Sequence, residues 1–337
     1  MSSHLIWIGS YASPEQEGLL RCRFSPETGF AVEAAYKGLL NPSFLLEHPV
    51  YPVLYTVEET EEGAVCAWRE EAGRLVLLGR VPTGGASPCH LSLSADGNWL
   101  YCANYMGGSA ACIRLDREGI PAERTDLAKH TGKGPNAQRQ EMAHAHCVYP
   151  FGGRIGVCDL GEDRIYLYEN EDGRLREQAR LTAAPGSGPR HLASHSRYSG
   201  CMFCISELTG EVFVWKETVP GRFEQRCGIG TLPPAYSGEN RAAAIRFTED
   251  GKWLLVSHRG ADVIAAMRMG TDGTPEDPVW SPCVREPRDF LVCGEYVLAA
   301  GQQDGEIRAY RLQEGQLEDT GFRLEDPQAV CIQRALR

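Results

Sequence analysis

Between Gly134 and Cys147 the chain reads GPNAQRQEMAHAHC, and eight consecutive positions of it hold Arg139, Gln140, Glu141, His144 and His146. Histidine and glutamate give and take protons near neutral pH, and arginine adds a fixed charge with paired donors for an anionic oxygen. Pro189-Arg190-His191, Ser206-Glu207 and Ser257-His258-Arg259 hold the same side-chain types further along. Brought together, an imidazole, a carboxylate and guanidinium groups make an acid–base site beside a place for an anionic substrate or an oxyanion. Kept apart, they are solvated charges or a structural salt-bridge network. What decides between these is whether the fold gathers residues so distant in the chain.

Repeats supply the means. Pro42-Ser-Phe-Leu-Leu, Pro88-Cys-His-Leu-Ser, Pro189-Arg-His-Leu-Ala and Pro287-Arg-Asp-Phe-Leu each open a similar unit, with less obvious copies at His144-Ala-His-Cys-Val and Ala243-Ala-Ile-Arg-Phe. A turn and a second apolar run follow, as in Leu100-Tyr-Cys-Ala-Asn-Tyr and Phe203-Cys-Ile-Ser-Glu-Leu; a third run and a fourth complete the unit. Asp96-Gly97 and Asp250-Gly251 are hairpin pairs, chosen where the backbone needs positive φ. The residue near the end of each second run is Glu58, Asn104, Asp159, Ser206, His258 or Gly301. Intervals of about 40 to 50 residues with four strands each are the mark of propeller blades.

Six units span roughly Leu39 to Phe322. The N-terminal piece reads as two outer strands, Leu5 to Tyr11 and Gly18 to Phe24, lacking an opening strand. Pro327-Gln-Ala-Val-Cys-Ile resembles the missing one, so both termini share a mixed closing blade that leaves no exposed sheet edge. The expectation is an all-β, seven-bladed β-propeller forming a single domain over 1–337. No WD dipeptide occurs, and the sixth unit, around Cys293-Gly-Glu-Tyr, is shortened.

Composition narrows the class. The 337 residues are 42% hydrophobic and carry a net charge of −11, which argues against a nucleic-acid groove, where a surplus of Lys and Arg is needed. No segment approaches the ~20 apolar residues that cross a bilayer, and the N-terminus lacks a signal-peptide pattern, so the expected location is cytoplasmic with no membrane partner. Thirteen cysteines fit a reducing compartment and no disulfides. In the one CxxC, Cys201 and Cys204 sit on opposite faces of a strand and are poorly placed to clamp one metal. Nothing in the sequence asks for a metal or cofactor, and a homo-oligomer is left open.

In a propeller the first strand of every blade lines the central channel, so equivalent positions of different units converge. At the third position of the opening strand stand His90, His146, His191 and Asp289, with Arg190 and Arg288 beside them at the second. Just past the second-run markers come Tyr105, Leu160, Glu207, Arg259 and Gln302. The interval that contains Arg139 to His146 is the longest, which places an inserted loop at the channel mouth.

These motifs resemble the seven-bladed propeller lactonases, whose bacterial members include a 6-phosphogluconolactonase and whose fungal relatives include a carboxy-muconate cyclase. The resemblance runs nearly end to end, through Asn41-Pro-Ser-Phe-Leu, Ala103-Asn-Tyr-Met-Gly-Gly-Ser, Gly134-Pro-Asn to His146, Asp159-Leu-Gly-Glu-Asp-Arg, Gly186-Ser-Gly-Pro-Arg-His and Ser257-His-Arg-Gly. It departs at Ser206-Glu207, where the family usually shows Asn-Glu, and at Ser257-His258-Arg259, where it shows Ser-Asn-Arg. By motif, the active-site residues proposed for the cyclase branch fall on His146, Arg190, Glu207 and Arg259. The resemblance implies hydrolysis of an anionic sugar lactone, 6-phosphogluconolactone foremost. Either His146 or Glu207 would serve as the base, and Arg190 or Arg259 would hold the oxyanion. Arg139 and His144 are assigned to the 6-phosphate, and His191 and Asn104 complete the expected substrate-binding set. The alternatives are a lactone reaction of the cyclase type and a non-catalytic binding propeller.

Overall fold

The computed structural model describes residues 3–336, and it is a ring of seven four-stranded antiparallel sheets. Six blades are continuous in sequence, at 45–82, 88–129, 145–182, 189–230, 241–282 and 287–325. The seventh takes its innermost strand from Ala329–Arg334 and its outer strands from His4–Ser10, Leu19–Ser25 and Gly29–Tyr36. The N-terminal piece thus supplies three strands where the sequence pattern shows two; the third, Gly29–Tyr36, is apolar apart from Glu33 and lies half exposed at the outer edge of the blade. Innermost strands touch in order around the channel, and Ala329–Arg334 meets both Pro287–Cys293 and Leu45–Glu47, which closes the ring.

Burial follows each strand's place in the blade. Second strands such as Cys201–Ser206 and Trp253–Arg259 are buried throughout, because both faces pack against neighbouring blades, and they read as unbroken apolar runs. Outer strands such as Gln316–Glu325 alternate half-buried and exposed residues. One apolar cluster fills each of the seven gaps between blades. A fully buried side chain there, such as Phe203 or Phe290, contributes roughly 1.5–3 kcal/mol by leaving water. Cys201 packs into the gap after its blade and Cys204 into the gap before it, on opposite faces of one strand.

The markers read from the sequence are strand ends: Glu58, Asn104, Asp159, Ser206 and Gly301 each close a second strand, and His258 is one residue short of doing so. The Asp-Gly turns differ from expectation. Only Gly97 and Gly251 have positive φ, while Asp96 and Asp250 use a carboxylate oxygen to accept the backbone N–H of Asn98 and Lys252. Asp172-Gly173 is the pair in which both residues are left-handed. The shortening of the sixth unit falls in its first turn, at Gly294-Glu295, and all four strands of that blade are present.

Candidate active site

The innermost strands share an irregularity near their start that decides which side chains reach the channel. Pairing with the second strand slips by one residue between Pro88 and His90, Ala145 and Cys147, Pro189 and His191, and Pro287 and Asp289. In the closing blade the slip falls between Ala329 and Cys331. A bulge of this kind leaves the extra residue out of the ladder and turns its side chain to a new direction. The extra residues are Cys89, His146, Arg190, Arg288 and Val330, and all five line one cavity of about 20 Å³ at the channel mouth. That volume holds a single water-sized atom.

This corrects the repeat alignment by one position. His146 stands level with Arg190 and Arg288, not with His90, His191 and Asp289, because the third unit opens at Ala145 rather than His144.

A second ring comes from the residue after each marker: Tyr11, Glu59, Tyr105, Leu160, Glu207, Arg259 and Gln302. Glu207 is its centre. Its Oε2 accepts from Arg190 Nε at 2.8 Å and pairs with Arg259 Nη2 at 3.0 Å, while Oε1 accepts from Arg139 Nη2 at 2.5 Å. The backbone is pinned too: Glu207 N–H donates to Gly188 O, and Asn240 Nδ2 donates to Glu207 O. Burial pushes the carboxyl up, but Arg259, Arg190, His146 and Arg139 outweigh it and hold it far below the usual carboxylate range. Arg190 also donates from Nη1 to Ala243 O at 2.6 Å, and Arg259 donates from Nε to Arg241 O at 3.0 Å. Burial lowers Arg259 to about 9, which leaves it charged at neutral pH.

His146 is buried beside these charges, its ring edge-on to Tyr105 and to His191. Burial first, and then Arg190, push its pKa well below 6.5, so the imidazole is neutral at pH 7. His191 is lowered for the same reasons. Phe44, His90, His191 and His146 form a chain of ring contacts at centroid distances of 4.2, 5.1 and 5.3 Å, which closes the channel below the cluster.

The structure therefore brings His146, Arg190, Glu207, Arg259, Arg139 and His191 together. It does not bring His144 or Asn104 to the cavity. His144 is stacked on Tyr105, with Nδ1 against Tyr105 O at 3.2 Å and Nε2 against Glu141 at 3.3 Å. Asn104 is fully buried beside Gly85, with Nδ2 donating to Ser109 Oγ at 3.1 Å. The repeat reading passed over Glu59 and Tyr11, which occupy the same after-marker position as Glu207 in their own blades. Tyr11 Oη donates to both Glu59 oxygens at 3.1 Å, and Ser43 Oγ donates to Glu59 as well.

A cavity of about 790 Å³ is at the other end of the channel, where the innermost strands finish. Its walls are mainly apolar, and its arginines, Arg246 and Arg334, are paired with Asp289 and Glu249. The acid–base groups and the arginines held by Glu207 are at the opposite mouth. One trio among the described residues, His130, Asp159 and Glu162, has metal-like spacing. Its atoms are already occupied: His130 meets Asp159 at 2.6 Å and Tyr168 at 2.9 Å, Asp159 accepts the N–H of His144 and Glu162, and Glu162 accepts from Gly132 and Tyr166. It reads as a bracing network behind the inserted loop.

Residues 5–334 match the family described as "Lactonase, 7-bladed beta-propeller". The chain is 27% identical to a 6-phosphogluconolactonase of Bacillus subtilis, over 98% of each chain, and 29% identical to one of Cronobacter sakazakii, over 92% of each. Among solved structures, a periplasmic gluconolactonase of Pseudomonas aeruginosa superposes over the whole of both chains with a TM-score of 0.90 at 26% identity.

Proposed function

The chain belongs to the lactonase family of seven-bladed β-propellers, and from that membership we propose that it hydrolyses a sugar lactone, with 6-phosphogluconolactone as the substrate. The observation that carries this reading is the charge balance at the mouth. Arg139, Arg190, Arg259 and Arg288 face two carboxylates, Glu207 and Glu59, beside a neutral imidazole. Such a surplus of guanidinium suits an anionic ester and the oxyanion formed from it. Relatives bearing the name 6-phosphogluconolactonase support the choice of substrate.

In this mechanism His146 takes a proton from the attacking water as its oxygen bonds to the lactone carbonyl carbon. The carbonyl π pair moves onto oxygen, where guanidinium groups hold the charge. Collapse reforms the carbonyl and breaks its bond to the ring oxygen, which recovers the proton from His146. Glu207 is a poor base, since both its oxygens are engaged by arginine. Its role is to position Arg190 and Arg259. Arg139, partly exposed at the rim, is placed to meet the 6-phosphate. A cytoplasmic location fits thirteen unpaired thiols.

The test is the rate of ring opening of 6-phosphogluconolactone and of unphosphorylated gluconolactone over their spontaneous hydrolysis. Acceleration of the phosphorylated lactone supports the reading, and preference for the unphosphorylated one moves the substrate but keeps the reaction. No acceleration of either overturns it.

A further inference from the structure

We propose that Arg288 is a catalytic residue that, together with Arg190, binds the lactone carbonyl oxygen and the oxyanion it becomes. The proposal rests on the hydrolase reading above and adds to it a group and an atom. Arg288 holds the bulged position of its blade, the position that presents His146 and Arg190 in theirs, and its side chain lines the same cavity. Arg259, which the motif reading paired with Arg190, does not line it. At about 20 Å³ the cavity admits one oxygen atom and excludes a phosphate, so the arginines around it serve the reacting carbonyl rather than a remote anion.

The two arginines are prepared differently. Arg190 is ion-paired with Glu207 at 2.8 Å, a carboxylate it shares with Arg259 and Arg139. Arg288 has no carboxylate within 4 Å among the described residues. Its guanidinium is held by neutral groups: Nη2 donates to Tyr11 Oη at 2.8 Å, Nη1 lies 3.5 Å from Gln302 Oε1, and the group sits 5.3 Å from the centre of the Tyr11 ring. Tyr11 is in turn fixed by its hydrogen bonds to Glu59. Arg288 therefore brings a charge with no direct ion pair, offset at longer range by Glu59 and Glu207, on a side chain already fixed in place. Donors fixed in advance around a small oxygen site stabilise a developing negative charge more than a ground-state carbonyl.

The experiment compares kcat and KM of wild type, Arg288→Ala, Arg288→Lys and Tyr11→Phe on 6-phosphogluconolactone and on gluconolactone. Loss of one oxyanion donor lowers kcat by about 100-fold or more. The expected result is a fall of that size in both Arg288 variants, equal for the two lactones, with KM little changed. A smaller fall follows in Tyr11→Phe, and added guanidinium ion restores part of kcat to Arg288→Ala. The Tyr11 variant and the rescue keep the test decisive if Arg288→Ala folds poorly. An unchanged kcat, or a rise in KM confined to the phosphorylated lactone, overturns the proposal and leaves the hydrolase reading standing. A wild-type protein inactive on both lactones overturns both.

Discussion

Arg190 Nε donates to Glu207 Oε2 at 2.8 Å, with each side chain only 3% exposed. Two residues that the chain separates by a strand and a hairpin are thereby locked into one buried ion pair, which Arg259 and Arg139 extend into a cluster. Breaking such a pair from one side costs about 3–5 kcal/mol, because the partner charge stays buried without compensation. Glu207→Gln should therefore lower unfolding free energy by roughly that amount, read from urea titration. It should also reduce kcat and keep a single acid limb in the pH–rate profile, moved to lower pH, since the lost group positions arginines and its charge raises the His146 pKa. Disappearance of an acid limb in this variant would restore Glu207 as the base.

The histidines set the pH dependence. His146 and His191 are pushed well below 6.5 and His258 down to about 4, burial being the main cause in each. Each group binds its proton in the unfolded chain at a higher pH than in the folded one. Stability is thus full above about 6.5 and declines as pH falls from there toward the folded values, by up to ~1.4 kcal/mol per pH unit per group. Thermal melts should show Tm falling steadily from pH 6.5 to pH 4. A flat Tm across that window would contradict the burial of neutral imidazoles.

Activity should persist through the same window. With His146 neutral well below 6.5, kcat should hold level from pH 7.5 to below pH 6 before its acid limb appears. A limb centred at the ordinary histidine value would mean that the imidazole is more solvated than the geometry indicates.

Gly161 links the inserted loop to the site. A Cβ placed there would lie 1.8 Å from Met142 O, backbone that cannot move without displacing the segment from Arg139 to His146. Gly161→Ala should reduce kcat/KM and lower Tm together. Fully retained activity would show that this segment does not position the cluster.

Closure of the ring is also testable. Ile332, on the innermost strand of the mixed blade, is fully buried, and its N–H donates to Asp289 Oδ2 at 3.0 Å. Ile332→Ala should cost about 2–5 kcal/mol, measured by denaturant unfolding.

Most of this architecture is legible in the sequence because its repeats carry chemical punctuation: Pro at the start of inner strands, and a polar residue at the end of buried second strands. That is enough to place Glu207 and Arg259 in one ring from the sequence. Gly29–Tyr36 is apolar apart from Glu33, and its place as the exposed outer strand of the closing blade comes from the structure alone. The position of His146 was misjudged by one because a bulge adds a residue without leaving a signal in composition. His144 has equally chemical side-chain types around it, yet it precedes the inner strand, which starts at Ala145, and its ring stacks on Tyr105 while the bulge turns His146 into the cavity. Arg288 was visible as the equivalent of Arg190. What only the structure supplies is that, among the described residues, no carboxylate lies within 4 Å of it.

The account turns on His146 acting within the arginine-lined cavity, and the most direct measurement is the lactone-opening rate of folded His146→Ala beside wild type on 6-phosphogluconolactone. Wild type should exceed the spontaneous rate, and the variant, with an unchanged melting profile, should lose about 100-fold or more of that excess. A variant that keeps the wild-type rate would contradict the central claim.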